Sequence, residues 1–225
     1  MEPSQVSALV RNLKDRAMNV YQLNADSTGT WVRFFTVQGP VVPDNDLDCK
    51  AFFDLQPRIR VDRNTESTPL GSKAKLGDFS NLGYGPEPCF SARAKKVLGP
   101  HIDGLGQWLA LECIEAPYWL FNVTQTVDAL DEATSELIRF DDGRVMRIAQ
   151  FTFHPEKLLG QLLFHLPQRH GVPNLVTQDF VDLVHEHGLT GFSFRLVWSE
   201  EFGAVSSKLK DWERPRITGL EPRPT

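Results

Sequence analysis

The chain has no apolar run of about eighteen residues, the length a membrane helix needs, so no membrane helix is expected. Met1-Glu2-Pro3-Ser4-Gln5 has neither a basic start nor a long apolar core, so a secretory signal is not expected either. Cysteine is scarce. Cys49, Cys89 and Cys113 are odd in number and far apart, which suits reduced thiols in a cytoplasm and excludes a Cys-x-x-Cys zinc ribbon. Gly-x-Ser-x-Gly is missing, and with it the usual serine nucleophile. Gly83/Gly85 and Gly104/Gly106 lack the third glycine and the strand–loop–helix setting that cradles phosphate. His185 and His187, two apart on a predicted helix, point to different faces, and His165 and His170 flank Pro167 in a loop. All four read as surface or capping histidines. Cys89 stands just before a predicted helix start, where a thiolate is favoured, but reads as a buried inert thiol. Asn122-Val123-Thr124 matches a glycosylation sequon but closes a predicted buried strand, so it is set aside. No catalytic residue, cofactor or metal ligand is assigned.

What is present is ordinary for a soluble globular chain: 41% apolar and 24% charged residues over 225 positions. The net charge of −5 is unevenly spread. Residues 1–100 carry 13 Lys and Arg against 11 Asp and Glu, and residues 101–225 carry 11 against 18. An acidic second half argues against nucleic acid as a partner, because phosphates need Lys and Arg. It suits a basic protein partner, or simply solubility.

Along the chain, Ser4 caps a predicted amphipathic helix over residues 4–18, followed by strands at Val20–Leu23 and Trp31–Val37. Residues 39–85 are rich in Pro and Gly, with short extended pieces at Ala51-Phe52-Phe53 and Ile59-Arg60-Val61. Ser91 caps a helix over Ala92–Leu98 that Gly99-Pro100 should stop. Strands follow at Gln107–Cys113, Tyr118–Val123, Ser135–Phe140, Arg144–Phe153, Gly160–Leu166 and Asn174–Val176. Asp141-Asp142-Gly143 supplies the hairpin turn. Thr177 should cap a helix over Gln178–His187, with Gly188 at its left-handed end. Phe192, Phe194, Leu196 and Trp198 alternate on a last strand and should share one face. Phe90–Leu98 and Val176–Val184 echo one another as hydrophobic residue, hydroxyl residue and helix. The expected fold is α+β: a mainly antiparallel or mixed sheet with a few amphipathic helices packed on it. Its expected parts are a loop-rich stretch over 1–88, with a subdomain there left open, an α+β domain over 89–198, and a C-terminal tail over 199–225. Within that tail Trp212 reads as an anchor to the body or to a partner.

Three groups of residues carry a family pattern. The first comprises Tyr118-Trp119-Leu120-Phe121-Asn122-Val123 and Val127-Asp128-Ala129-Leu130-Asp131 with Ser135. The second comprises Phe140-Asp141-Asp142-Gly143-Arg144 and Phe164-His165-Leu166-Pro167. The third comprises Val176-Thr177-Gln178-Asp179-Phe180 and Gly188-Leu189-Thr190-Gly191-Phe192. From Pro88 to Trp198 the sequence resembles a bacterial immunity-protein family associated with polymorphic toxins, a myxobacterial-type domain formerly of unknown function. The resemblance implies a cytoplasmic, non-enzymatic antidote that binds a cognate toxin stoichiometrically. Its contact residues do not carry over, because such surfaces diverge.

Asp128, Asp131, Glu132, Glu136, Asp141 and Asp142 fall within fifteen residues against Arg139 alone. They are the candidate partner-binding residues, facing a basic toxin surface. The bland reading gives Asp128 and Asp131 to a turn and Asp141 and Asp142 to the hairpin. Two other functions stay open: an enzyme built on His154, Glu156 and loop carboxylates, and a module that forms a homo-oligomer through its sheet.

Overall fold

The computed structural model describes residues 17–28, 30–32, 34–38, 59–63, 73–82, 86–169, 173–205 and 216–218. The predicted helix over 4–18, but for its last two residues, lies outside them, as do Ala51-Phe52-Phe53, Cys49, His170 and Trp212.

The N-terminal half supplies β1 (Asn19–Ala25), β2 (Phe34–Gln38), β3 (Ile59–Arg63), β4 (Phe79–Asn81) and β5 (Pro88–Ser91). Helix α1 (Ala92–Ile102) follows, then β6 (Gly106–Cys113) and β7 (Tyr118–Val123). The hairpin β8 (Glu136–Arg139) and β9 (Val145–Gln150) comes next. The C-terminal part holds β10 (Leu163–Phe164), β11 (Leu175–Thr177), α2 (Gln178–Glu186), β12 (Phe192–Ser199), β13 (Gly203–Ala204) and β14 (Arg216–Thr218). Among the described residues the fold is therefore mostly sheet with two helices, and α+β in class.

One sheet runs β10-β11-β1-β12-β13, with β14 also against β12, and its pairings are antiparallel. The other runs β2-β3-β6-β7-β5-β4, mixed because β3 and β6 are parallel. The echo in the sequence has a topological counterpart. β5 and β6 flank α1 in the chain and both pair antiparallel with β7, which lies between them. β11 and β12 flank α2 and both pair antiparallel with β1, which lies between them. Each half is thus a strand–helix–strand unit held open by one inserted strand. β4 and β10 extend the two units at equivalent edges. In the C-terminal unit the inserted strand comes from the start of the chain, so the 1–88 stretch and the 89–198 stretch share a sheet, and β13 and β14 add residues beyond Ser199.

The two units meet through one core. Tyr21, Leu23, Val176, Phe192 and Phe194 pack with Phe79, Phe90, Phe121 and Val123, and with Leu98 of α1 and Phe180 of α2. Phe90 is fully buried and touches four other rings at 5.2 to 6.1 Å. Edge-on and tilted pairs of this kind add about 1 kcal/mol each beyond burial. The outer face of the C-terminal sheet carries a second cluster, with Val20, Leu175, Val197 and Trp198 packed on Val127, Leu130, Ile148 and Phe153. The outer face of the other sheet carries a third, around Ile59, Cys89, Leu111 and Leu120.

Four sequence expectations are corrected. Trp198 does not share a face with Phe192 and Phe194. Val20 faces Trp198 while Tyr21 faces Leu196, so Val197 is an extra residue, a β-bulge that puts Trp198 on the outer core beside Val197. α1 does not stop at Gly99-Pro100 but runs to Ile102, because Leu98 and Ile102 are both fully buried and Pro100 sits in the last turn. Thr177 makes no side-chain cap; its hydroxyl donates to the Gln161 carbonyl at 2.6 Å. That carbonyl belongs to the predicted strand Gly160–Leu166, which shrinks to Leu163–Phe164 for the same reason: its flanking groups bond outside a ladder. Ser91 does cap α1, accepting from the Ala94 amide at 3.1 Å. Gly188, at φ +56°, closes α2 as expected.

Two contacts stitch the units together. Asp78, 7% exposed, accepts from the Ser91 hydroxyl at 2.8 Å, from Arg93 Nη1 at 2.8 Å, and from the Thr190 amide and hydroxyl at 3.0 and 3.1 Å. The amides of Asp78 and Phe79 in turn donate to the Thr190 carbonyl. One residue on, Gly191 lies against the Phe79 carbonyl so closely that a Cβ would sit 2.4 Å from it.

Candidate functional site

Asp141-Asp142-Gly143 makes the predicted hairpin turn, with Gly143 at φ +87°. The resulting pair β8–β9 is a sheet of its own, joined by no third strand among the described residues. Ile148 anchors it in the outer core, with Leu137 and Val145 partly buried beside it. Its tip presents Phe140 at 46% and Met146 at 41% exposure, with the Arg144 guanidinium 5.6 Å from the Phe140 ring centre. Such exposed apolar side chains between charges are what a protein interface uses as anchors.

The six candidate carboxylates fall into two groups. Three are tied up in local structure. Asp131 accepts from the Ala133 amide at 3.0 Å and the Thr134 hydroxyl at 2.7 Å, Asp142 accepts from the Arg144 amide at 3.0 Å and its Nε at 2.7 Å, and Glu132 pairs with Arg139 at 2.7 Å. These are turn and strand-end contacts of the kind Asp and Glu make wherever donors lie nearby. The other three, Asp128, Glu136 and Asp141, are exposed and enter no ion pair among the described residues. Asp128 accepts a 3.3 Å bond from Gln168, which also reaches Glu132 at 3.0 Å. Arginines thus balance two of the six charges, those of Glu132 and Asp142, and the three open acids stand before β8, at its start and in the turn.

The Thr134 hydroxyl holds the Asp131 carboxyl below its ordinary pKa of 3.8, and the Arg144 amide does the same for Asp142. Both carboxyls are lower in the folded than in the unfolded chain. Their contribution is present above 3.8 and is lost as pH falls through the lowered folded values. A carbon-detected NMR titration should place both midpoints below 3.8, with amide shifts confined to residues 131–135 and 140–145. Midpoints at or above that value would show that these turns do not hold their carboxylates.

A cleft of about 310 Å³ borders β9. Arg147 of β9, Arg169 from the loop after β10 and Arg195 of β12 line it, over an apolar wall that includes Ile148, Phe151 and Val197. Sequence reasoning missed this feature entirely. Each arginine is isolated in the chain, and only the pairing of β12 with β1 and the packing of β9 bring them together.

His154 and Glu156 stand 3.9 Å apart with side chains 41% and 68% exposed. His165, read as a surface histidine, is instead buried at 7% exposure, with Nε2 2.8 Å from Asn174 Oδ1. Asn174 Nδ2 donates on to the Pro86 carbonyl, so the pair ties β11 to the segment before β5. Cys89 lies fully buried on the outer face of β5, and burial pushes its thiol well above the ordinary range. Among the described residues no three His, Cys, Asp or Glu side chains converge as metal ligands do, and no helix is long and apolar enough to cross a membrane.

The molecule is thus an α+β scaffold whose outstanding surface features are a free-standing charged hairpin and an arginine cleft. Residues 113–198 match the family model described as Immunity protein family (Imm11), so this part of the chain is similar to those immunity proteins. The match runs from the last residue of β6 nearly to the end of β12 and includes the hairpin; the resemblance read in the sequence begins earlier, at Pro88. No curated protein matches the chain.

Proposed function

We propose that this protein neutralises a cognate bacterial toxin by direct stoichiometric binding, with no chemical step of its own. The single observation that carries the reading is the immunity-family match over 113–198, which spans the hairpin and the acidic segment before it. The contact surface in this reading is the β8–β9 tip with Phe140 and Met146 as apolar anchors, flanked by Asp128, Glu136 and Asp141. Those three acids hold no turn in place, so a basic partner meets them without dismantling the fold. An interface of about 1,600 Å² with a few such anchors is enough for tight association. The reading places the protein in the cytoplasm beside the toxin it blocks.

The test is co-expression with the product of the neighbouring gene, scored by rescue of growth and by co-purification. Asp128→Lys, Glu136→Lys and Asp141→Lys together should weaken the complex about tenfold or more, mainly through slower association, while leaving the melting temperature unchanged. Rescue and co-purification both failing, with an active toxin, would end the proposal. Full rescue by the triple variant would move the contact surface elsewhere.

A further inference from the structure

We infer that the arginine cleft is a binding site for a phosphate monoester with a small apolar body. The first ground is charge. Arg147, Arg169 and Arg195 line one cleft in a protein of net charge −5, and among the described residues that line it none is Asp or Glu. Neither Arg147 nor Arg169 enters an ion pair among the described residues. Like charges gathered without a counter-ion repel one another, and a bound anion relieves that cost. Two guanidinium groups with no ion pair among the described residues match the charge of about −1.5 to −2 that a phosphate monoester carries near neutral pH better than they match one carboxylate.

The second ground is orientation. Arg195 Nη2 donates to the Gln22 side-chain carbonyl, and Arg169 Nη1 donates to the Met146 carbonyl. Both acceptors are neutral side-chain or backbone carbonyls, so these two contacts orient the planar groups, and the one to Arg169 leaves its charge in place. Held forks of this kind are what bidentate recognition of phosphate oxygens requires. The third ground is the wall. Ile148, Phe151 and Val197 give the cleft an apolar side that inorganic phosphate would leave uncovered. A volume of about 310 Å³ is at the small end for ligand sites, which limits the body to a single ring or a short chain. Ligand binding in this cleft is independent of toxin binding.

Calorimetric titration of the full chain tests it, with phenyl phosphate, inorganic phosphate and benzyl alcohol as probes. Phenyl phosphate should bind saturably, about tenfold more tightly than inorganic phosphate, and benzyl alcohol should not bind. Raising the salt should weaken the phosphate probes. Arg147 is exposed and no hydrogen bond from its side chain to the described residues is present, so Arg147→Gln should keep the fold and lose about tenfold in affinity. Arg169→Gln should lose at least as much. A phosphotyrosine peptide serves to separate sources: affinity equal to phenyl phosphate assigns a free ester, and affinity about tenfold higher assigns an ester carried on a chain. Absence of saturable phenyl phosphate binding, or binding that both glutamine variants leave intact, overturns the site.

Discussion

Asp78→Ala should lower the free energy of unfolding by about 3 kcal/mol, read as a shift in the chemical-denaturation midpoint at constant slope. The carboxylate accepts four hydrogen bonds from three places: Ser91 at the N-cap of α1, Arg93 two residues on in its first turn, and Thr190 in the loop between α2 and β12. Truncation leaves the Thr190 amide and hydroxyl and the Ser91 hydroxyl without that acceptor in a nearly closed space. Unmet donors cost about 1–3 kcal/mol each when buried, so several together exceed the net worth of the bonds they made. The Arg93 share is smaller, because its side chain is 54% exposed and it also donates to the carbonyls of His187 and Gly188. Asp78→Asn keeps an acceptor and the shape, so it should lose about half as much. An unchanged midpoint in the alanine variant would show that the two units are held by their apolar core alone.

Gly191→Ala should cost a similar amount, about 3 kcal/mol, for a reason separable by a matched control. Gly191 and Gly143 share a φ of +87°, a conformation that disfavours any side chain. At Gly143 a Cβ meets nothing within 4 Å, so Gly143→Ala should cost only the backbone strain, about 1 kcal/mol. At Gly191 the same Cβ falls 2.4 Å from the Phe79 carbonyl oxygen. A backbone atom within a paired strand has no rotamer to turn to, so β4 must move away from β12. That motion also separates the stacked Phe79 and Phe192 rings, now 4.6 Å between centres. The difference between the two variants, about 2 kcal/mol by thermal or chemical unfolding, measures the close approach itself. Equal losses would mean the strands part without cost.

The portions of the fold that were legible in the sequence are those fixed by neighbours in the chain. Asp142-Gly143 announced a hairpin, Ser91 announced a helix start and Gly188 announced a helix end, because each uses donors and acceptors within four residues. What stayed hidden depends on a partner far along the chain. Thr177 has the composition of a cap, yet the Gln161 carbonyl takes its hydroxyl, and nothing local reports that carbonyl's position. The alternation from Phe192 to Trp198 is regular on paper; the bulge at Val197 breaks it because β1 sets the register. The candidate site divides in the same way. Proximity in sequence gathered six acids, and the structure shows Asp131 and Asp142 serving their own turns, as acids beside backbone amides tend to do. Proximity in space gathered three arginines that no window of the sequence contains. Asp78 was equally invisible, one of seven acids in the Pro- and Gly-rich residues 39–85.

The place of β1 has a further consequence during synthesis. Asn19 lies opposite Ser199 and Val20 opposite Thr177, so the earliest described strand finds both neighbours only after residues 175–199 have left the ribosome. Until then Val20, Tyr21 and Leu23, all buried in the finished molecule, have no sheet to enter. Pairing across such separations is slow, and a waiting apolar edge invites association with other nascent chains. Completion of this sheet is therefore tied to synthesis of residues 175–199, and a product truncated before them leaves the first described strand without a home.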